Sequence, residues 1–187
     1  PSGVTAAYAA GARRNGAEIY RFTPVIGTEI QSDGSWVVRT SKGDIKTQWV
    51  VNAAGLWGRE VARLAGVELP LQPTEHQYFV TETIAQIDSM DRRLPSGADR
   101  DGEYYLRREG KGLLVGAYER DLRFWAEGEA PAGFGHELFE DDLERIEENM
   151  MRAIERVPAV GEAGIKRVIN GPMIWSPDSN VLFGPVP

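Results

Sequence analysis

W-V-V-N-A-A-G-L-W-G-R-E, residues Trp49–Glu60, is the segment around which the rest of this chain is organised. The apolar run at 49–51 predicts a short strand, the small residues at 53–55 predict a turn, and 56–65 has the pattern of a helix. A strand that ends in such small side chains lets a ligand approach the backbone. In an α/β sheet, ligands bind at the carboxyl ends of strands, where the next helix presents free N–H groups. The stretch therefore predicts a strand, a ligand-binding loop and a helix, with a tight connection that binds nothing as the alternative.

Composition and charge exclude several classes of function. The chain has 187 residues, of which 42% are hydrophobic and 26% are charged, as is ordinary for a globular protein. Its formal net charge of -7 argues against nucleic-acid binding, which needs a dense basic surface. No apolar run approaches the length of about 20 residues that crosses a bilayer, so we expect no membrane partner. The absence of cysteine excludes disulfides, thiolate chemistry and cysteine-based zinc sites.

The first part of the chain has the pattern of an α/β unit followed by an antiparallel meander. An alanine-rich helix is predicted at Val4–Asn15, and a strand is predicted at Ala17–Phe22. Three further strands are predicted at Val25–Gln31, Trp36–Thr40 and Ile45–Val51. Asp-Gly and Lys-Gly turns separate these three strands, so we expect them to pair as consecutive hairpins.

The second part has the pattern of an antiparallel sheet covered by one long helix. A strand is predicted at Thr74–Glu82, and a hairpin is predicted from strands at Glu103–Arg108 and Gly112–Tyr118. The polar residues 88–102 predict a surface loop. The clearest helical stripe runs over Glu137–Val157, with acidic residues near its beginning and arginines near its end.

The expected fold class is therefore mixed α/β and α+β, with two architectures in one chain. Strands are also predicted at Gly164–Ile174 and Val181–Phe183, near the end of the chain. We expect residues 1–71 to form part of a Rossmann-like nucleotide-binding domain that contains the meander. We expect residues 72–168 to form a substrate domain, and residues 169–187 to return to the first domain.

Four sequence blocks carry a resemblance to a known family. They are V-V-N-A-A-G-L-W-G at 50–58, L-P-L-Q-P-T-E-H-Q-Y-F-V-T-E at 69–82, Y-Y-L-R-R-E-G-K-G-L-L-V-G-A-Y-E at 104–119 and N-G-P-M-I-W-S-P-D-S-N-V-L-F-G-P-V-P at 170–187. Together they resemble the dimethylglycine and sarcosine dehydrogenase branch of the flavoproteins that are similar to D-amino-acid oxidase. Each block is moderately specific, and their order and spacing over nearly the whole chain make the resemblance much more specific.

The resemblance implies an FAD-dependent enzyme that oxidises a small N-methyl amino acid. The resulting imine would be hydrolysed or passed to a folate domain, and the electron acceptor stays open. The family's G-x-G-x-x-G loop, which holds the FAD pyrophosphate, does not occur in this sequence. We therefore expect a fragment whose FAD belongs to the parent protein and is not retained by the chain alone. Such a parent would work in the cytoplasm if bacterial, with the mitochondrial matrix as the alternative.

Three residues of the predicted substrate sheet are candidates for chemistry. A neutral His76 imidazole would accept a proton from the substrate ammonium or orient its carboxylate, and the alternative is a hydrogen-bonded histidine of structural use. A phenol at Tyr104 or Tyr105 would bind the substrate carboxylate, and only one of them faces a given side of the sheet. The resemblance assigns catalysis to His76 and Tyr105 and leaves Tyr104 on the substrate side.

The resemblance also implies positions for the cofactor. Trp175 would lie near the flavin ring and the substrate, although the prolines around it equally suit a rigid return loop. The acidic residues of the long helix are expected to form a solvated face, so no metal site is predicted. The cofactor-binding candidates are Val25, Ala53, Ala54, Gly55 and Trp57.

Two other functions stay open for this sequence. The same family includes a regulatory subunit of a pyruvate dehydrogenase phosphatase, which keeps the fold without catalysis. A flavin oxidase that acts on another amino acid, such as glycine or proline, is the second alternative. The presence of His76 together with a tyrosine on the next strand favours the N-methyl amine enzyme.

Overall fold

A computed structural model describes residues 2–186 and divides the chain into two compact units. The first unit contains the chain up to Ala53 together with Val61–Glu68. The second unit contains Ala54–Glu60 and the chain from Leu69 onward. Both units mix helices with antiparallel strands, as the sequence predicts.

The first unit contains one long helix and a three-stranded meander. Helix α1 spans Ser2–Arg14, and the strands are β1 at Val25–Ile30, β2 at Trp36–Thr40 and β3 at Gly43–Thr47. The sheet has the antiparallel order β1-β2-β3, which confirms the predicted hairpins. The third strand begins and ends earlier than predicted.

Two strands predicted in the first unit do not form. Residues 17–22 are irregular, and so are residues 49–51, where Trp49 is 80% exposed and Val51 is 85% exposed. A strand needs a hydrogen-bonded neighbour to satisfy its backbone groups. No strand within residues 2–186 pairs with either segment, so the apolar pattern by itself does not produce a strand.

The helix predicted after the turn of small residues is confirmed, although it is shorter than predicted. A 3₁₀ turn at Gly55–Trp57 leads directly into helix α2 at Gly58–Arg63. Gly66 follows with a φ of 73°, a left-handed conformation that suits glycine just past a helix end.

The second unit is built on a five-stranded antiparallel sheet. Its strands are β4 at Gln72–Thr81, β5 at Gly97–Asp99, β6 at Tyr104–Glu109, β7 at Gly112–Ala117 and β8 at Ile165–Trp175. Their order in the sheet is β5-β6-β7-β4-β8. The predicted β4, the β6–β7 hairpin and β8 are confirmed, whereas β5 lies in a stretch predicted to be a loop.

Helices cover one face of this sheet. They are α3 at Ala85–Asp88, α4 at Glu147–Arg156 after a 3₁₀ turn at Glu144–Ile146, and α5 at Ala159–Glu162. None of the helices within residues 2–186 has the length and apolarity needed to cross a bilayer. The buried core between sheet and helices includes Phe79, Tyr104, Leu113, Val115, Ile146, Ala153 and Val160.

The long helix predicted at Glu137–Val157 is wrong in its first part, because α4 begins only at Glu147. The buried side-chain amide of Gln77 donates to the Asp142 carbonyl and accepts from the Asp142 N–H at 3.2 Å. The Asn170 amide donates to the Glu140 carbonyl at 2.8 Å. These tertiary bonds take the backbone groups that a helix would have used, so the segment runs irregularly across the sheet.

The last part of the chain also differs from its prediction. Strand β8 continues through the expected domain boundary at residue 168 and pairs with β4 along nearly its whole length. Residues 181–183, predicted to be a strand, are irregular, and Phe183 is 99% exposed. As in the first unit, no neighbouring strand among the described residues is available for pairing.

Candidate functional site

The sheet of the second unit has two faces with different chemistry. Side chains alternate along a strand, so Gln77 and Phe79 of β4 lie towards α4, while His76 and Tyr78 lie on the opposite face. Tyr104 is 2% exposed and belongs to the core. The candidate catalytic residues His76 and Tyr105 therefore share one face, and Tyr104 lies on the other.

The position of Tyr105 depends on a glycine in the neighbouring strand. Tyr105 pairs with Gly116, which in turn pairs with Tyr78. A Cβ atom built on Gly116 would lie 2.1 Å from Cζ of Tyr105, so only glycine leaves room for the ring. The centroid of the Tyr118 ring lies 5.5 Å from the centroid of the Tyr105 ring. Three tyrosines and His76 thus form one aromatic surface, which we call the open face.

Tyr105 is a hydrogen-bond donor at neutral pH. Burial raises the pKa of its phenol above the ordinary value of 10.0, and the neighbouring Tyr118 and Tyr78 raise this pKa further. A protonated phenol donates one hydrogen bond and accepts others, which suits contact with a carboxylate.

His76 lies against a buried carboxylate. The side chain is 18% exposed, and its Nδ1 atom is buried 3.2 Å from Oε1 of Glu119. The two atoms are close enough for an ion pair, although their alignment falls short of a hydrogen bond. The solvent-accessible part of the imidazole ring is therefore the part away from Nδ1.

Glu119 is ionised despite its burial. Desolvation alone would raise the pKa of its carboxyl group. His76, the N–H of Gln77 and the Arg145 guanidinium outweigh that effect, so the pKa lies below its ordinary value. Oε1 accepts the Gln77 N–H at 2.9 Å, and Oε2 accepts Nε of Arg145 at 2.6 Å.

The residues predicted to bind the cofactor are accessible from solvent. Ala53 and Gly55 are exposed, and Gly55 has a φ of 55° with open space where a Cβ would be. Ala54 is partly exposed, and Val25 is exposed at the beginning of β1. Short side chains and open space at the main chain fit the approach of a large cofactor such as FAD.

Side chains of Trp57 and Arg59, where the 3₁₀ turn leads into α2, are anchored within the second unit. Nε1 of Trp57 donates to the Pro131 carbonyl at 3.0 Å, so this tryptophan fixes a loop. The buried Arg59 guanidinium donates to the Ala126 carbonyl at 2.7 Å. The Arg59 bond holds Ala126, whose φ of 50° is unusual for a residue with a side chain.

Trp175 lies at the end of β8, opposite Gln72 of β4. Its Nε1 atom donates to the Thr74 hydroxyl at 3.0 Å. The indole nitrogen is therefore used inside the second unit, at a residue two positions along β4 from His76.

Sequence patterns did not identify Glu119 or Arg145 as candidates for the site. Glu119 ends one of the blocks that carry the resemblance and Arg145 lies in the predicted long helix, and no local pattern connects either residue with His76. Glu119 contacts His76 and Arg145 contacts Glu119 only because three distant segments meet at the sheet. Among residues 2–186, no group of His, Asp and Glu has the arrangement of a metal site.

Comparison with known proteins gives the chain its family. The whole chain, residues 1–187, matches the family described as DAO, FAD dependent oxidoreductase. Human mitochondrial dimethylglycine dehydrogenase is 45% identical over 190 residues, which cover 99% of this chain and 22% of that protein. Human mitochondrial sarcosine dehydrogenase is 38% identical over 192 residues, which cover 100% of this chain and 20% of that protein.

A solved structure shows the same fold. L-proline dehydrogenase from P. horikoshii superposes with a TM-score of 0.75 at 26% identity, over 98% of this chain and 46% of that one. The chain spans about a fifth of the length of the two human relatives. The resemblance carried by the four sequence blocks is thus confirmed, and the chain belongs to the FAD-dependent oxidoreductases of the DAO family.

Proposed function

We propose that this chain provides the substrate-binding sheet of a flavoenzyme that oxidises a secondary or tertiary N-methyl amino acid of the dimethylglycine or sarcosine type. The observation that carries the proposal is the placement of His76 and Tyr105 on one open face, away from the core. Two human relatives whose names specify these substrates support the substrate class.

Each residue of the open face has a distinct task in this proposal. The amine must lose its ammonium proton before a hydride equivalent can leave its methyl carbon, and His76 accepts that proton. The Tyr105 phenol donates a hydrogen bond to the substrate carboxylate. Tyr78 and Tyr118 supply aromatic walls that favour the methylated cation before it is deprotonated.

FAD, when bound, accepts the hydride equivalent that leaves the methyl group. Ala53, Ala54 and Gly55 would lie along the cofactor, because they combine short side chains with accessible backbone. Val25 would contact the adenine end. Water then converts the iminium carbon to formaldehyde and releases the demethylated amine.

The test is anaerobic reduction of the complete flavoprotein that contains this chain. The oxidised flavin band should bleach on mixing with dimethylglycine or with sarcosine, and the faster substrate identifies the preferred amine. His76→Ala should slow bleaching about 10²- to 10⁴-fold, the usual contribution of a general base. His136→Ala is the matched control, because His136 is the other histidine of the chain and is exposed.

Three results would contradict the proposal in different ways. Bleaching by proline or glycine alone would identify another amino-acid oxidase of the family. A flavin-free protein would favour the regulatory alternative. An unaltered rate in His76→Ala would remove the histidine from the chemistry.

The fate of the one-carbon product tests a further part of the proposal. We propose that a folate domain elsewhere in the complete protein captures it, in which case added tetrahydrofolate lowers the yield of free formaldehyde. An unchanged yield would leave simple hydrolysis. We place a eukaryotic protein of this kind in the mitochondrial matrix, because both human relatives are named as mitochondrial, and a bacterial one in the cytoplasm.

A further inference from the structure

A gap in the five-stranded sheet lies directly beside His76. Strand β7 pairs with β4 at Tyr78 and the two residues that follow it, and then leaves. The chain returns to β4 only at Arg123, whose carbonyl accepts the Glu75 N–H at 2.9 Å. Between these points, the N–H of Gln77 has no strand opposite it.

The side chain of Glu119 fills this gap. Its Oε1 atom accepts the Gln77 N–H at 2.9 Å, in the place of a strand carbonyl. The side chain is 0% exposed and is held from the α4 side by Nε of Arg145 at 2.6 Å. His76 approaches the same carboxylate from the open face. The Glu119 carboxylate therefore contacts a residue on each face of the sheet, His76 on the open face and Arg145 on the α4 side.

We propose that Glu119 is a positioning residue, which holds His76 with its proton on Nδ1 and leaves Nε2 free to accept the proton of the substrate amine. This inference rests on the proposed function, because it assigns a task to His76. The nitrogen that faces a carboxylate carries the hydrogen, and the other ring nitrogen then has the lone pair. Burial of Nδ1 leaves Nε2 as the nitrogen that substrate can reach.

Arg145 keeps the carboxylate in place when His76 accepts the substrate proton. Its guanidinium also contacts Glu75 at 3.0 Å and Asp142 at 3.6 Å, so it has other carboxylates on the α4 side. Loss of the Glu119 charge would therefore not leave this buried cation without a counter-ion.

The charges of the cluster balance when His76 takes a proton. Three carboxylates and two guanidinium groups give a formal charge of about −1 around a neutral imidazole, and a proton from the substrate brings the total to zero. The Tyr105 phenol on the open face stays neutral, and the β8 residue opposite His76 is Gly171, which has no charge. The charged members of the cluster are Glu75, Glu119, Asp142, Arg123 and Arg145.

The tautomer of His76 can be read directly by ¹⁵N NMR. The 187-residue chain contains two histidines, and the His136→Gln variant assigns the remaining signal to His76. At a pH where the ring is neutral, we expect the Nδ1–H tautomer. In Glu119→Gln the charged Arg145 guanidinium retains the single amide oxygen, so the NH₂ group lies towards Nδ1 and the Gln77 N–H loses its acceptor. We therefore expect a shift to the Nε2–H tautomer.

Two other variants separate positioning from simple support of the fold. Glu119→Asp keeps two accepting oxygens and should retain the Nδ1–H tautomer. This variant still tests the proposal if Glu119→Gln does not fold. Glu75→Gln removes a charge from the same Arg145 but should leave the tautomer unchanged. A tautomer that is the same in the Glu119→Gln variant as in the original chain, or is altered equally by Glu75→Gln, would overturn the proposal.

The complete flavoprotein gives the kinetic counterpart. Glu119→Gln should lower the limiting rate of flavin reduction about 10- to 100-fold, as loss of a group that orients a histidine does, with substrate affinity changed less than about twofold. A change in affinity alone would count against positioning. A protein that no amine reduces would refute the proposed function, whereas the NMR result would still decide whether Glu119 orients His76.

Discussion

The two units of this chain follow similar sequence patterns with different results. Helix α1 has apolar residues at helical spacing, yet none of its described residues 2–14 is buried. In the second unit, every residue of β7 is buried between β4 and β6, and alternate residues pack against the helices. The difference shows that an apolar pattern supplies the surface to be buried, and that a neighbouring element decides whether burial occurs.

The largest difference between the units should appear on truncation of apolar side chains. Phe79→Ala should lower the free energy of unfolding by about 3–5 kcal/mol, because the ring leaves a cavity in the core. Val4→Ala in the exposed face of α1 should change it by less than about 0.5 kcal/mol. Urea denaturation followed by circular dichroism measures both, and equal losses would contradict the comparison.

Glycines in the two sheets should respond differently to an added methyl group. Gly116→Ala should displace the Tyr105 ring and cost about 1–3 kcal/mol of stability, as overpacking does. Flavin reduction in the complete protein should fall as far as in Tyr105→Phe. In Gly27→Ala of β1, the added Cβ atom would lie 3.8 Å from the Arg39 side chain, which is an ordinary van der Waals distance. Unaltered kinetics in Gly116→Ala would show that Tyr105 does not act from this position.

Amide side chains offer a more local comparison. Gln77→Ala should free the Asp142 N–H and lower stability by about 1–3 kcal/mol, because buried backbone groups lose their partners. Hydrogen exchange at Asp142 should become faster. The exposed Gln48→Ala in the first unit is the control and should leave exchange and stability unchanged.

The smallest expected effect is the dependence of stability on pH. The folded-state pKa of Glu119 lies below 4.5, so its ionised form stabilises the fold above that pH. This stabilisation is lost as the pH falls through the lowered pKa, and Glu119→Gln should flatten the acid side of the curve. Glu29, whose partner Arg39 is also exposed, should contribute little, and Glu29→Gln is the control. Equal flattening in both variants would show that burial of the carboxylate does not matter.

The sequence was most informative where structure depends on near neighbours. Hairpins with glycine turns, the strand around His76 and the alternation that separates Tyr104 from Tyr105 all follow from local patterns. The strand predictions for residues 17–22 and 49–51 were wrong, because a strand also needs a hydrogen-bonded partner, which the local pattern does not specify.

Periodicity and turn residues correctly predicted β4, the β6–β7 hairpin and β8, because these elements depend on near neighbours. The family was indicated by the resemblance of the four sequence blocks, and alternation along a strand required Tyr104 and Tyr105 to lie on opposite faces. The interruption of the helix before α4 by Gln77 and Asn170, and the entry of Glu119 into the gap beside His76, depend on tertiary contacts. The physical reason is that each of these contacts satisfies a buried polar group with a partner distant in sequence, which no local pattern encodes.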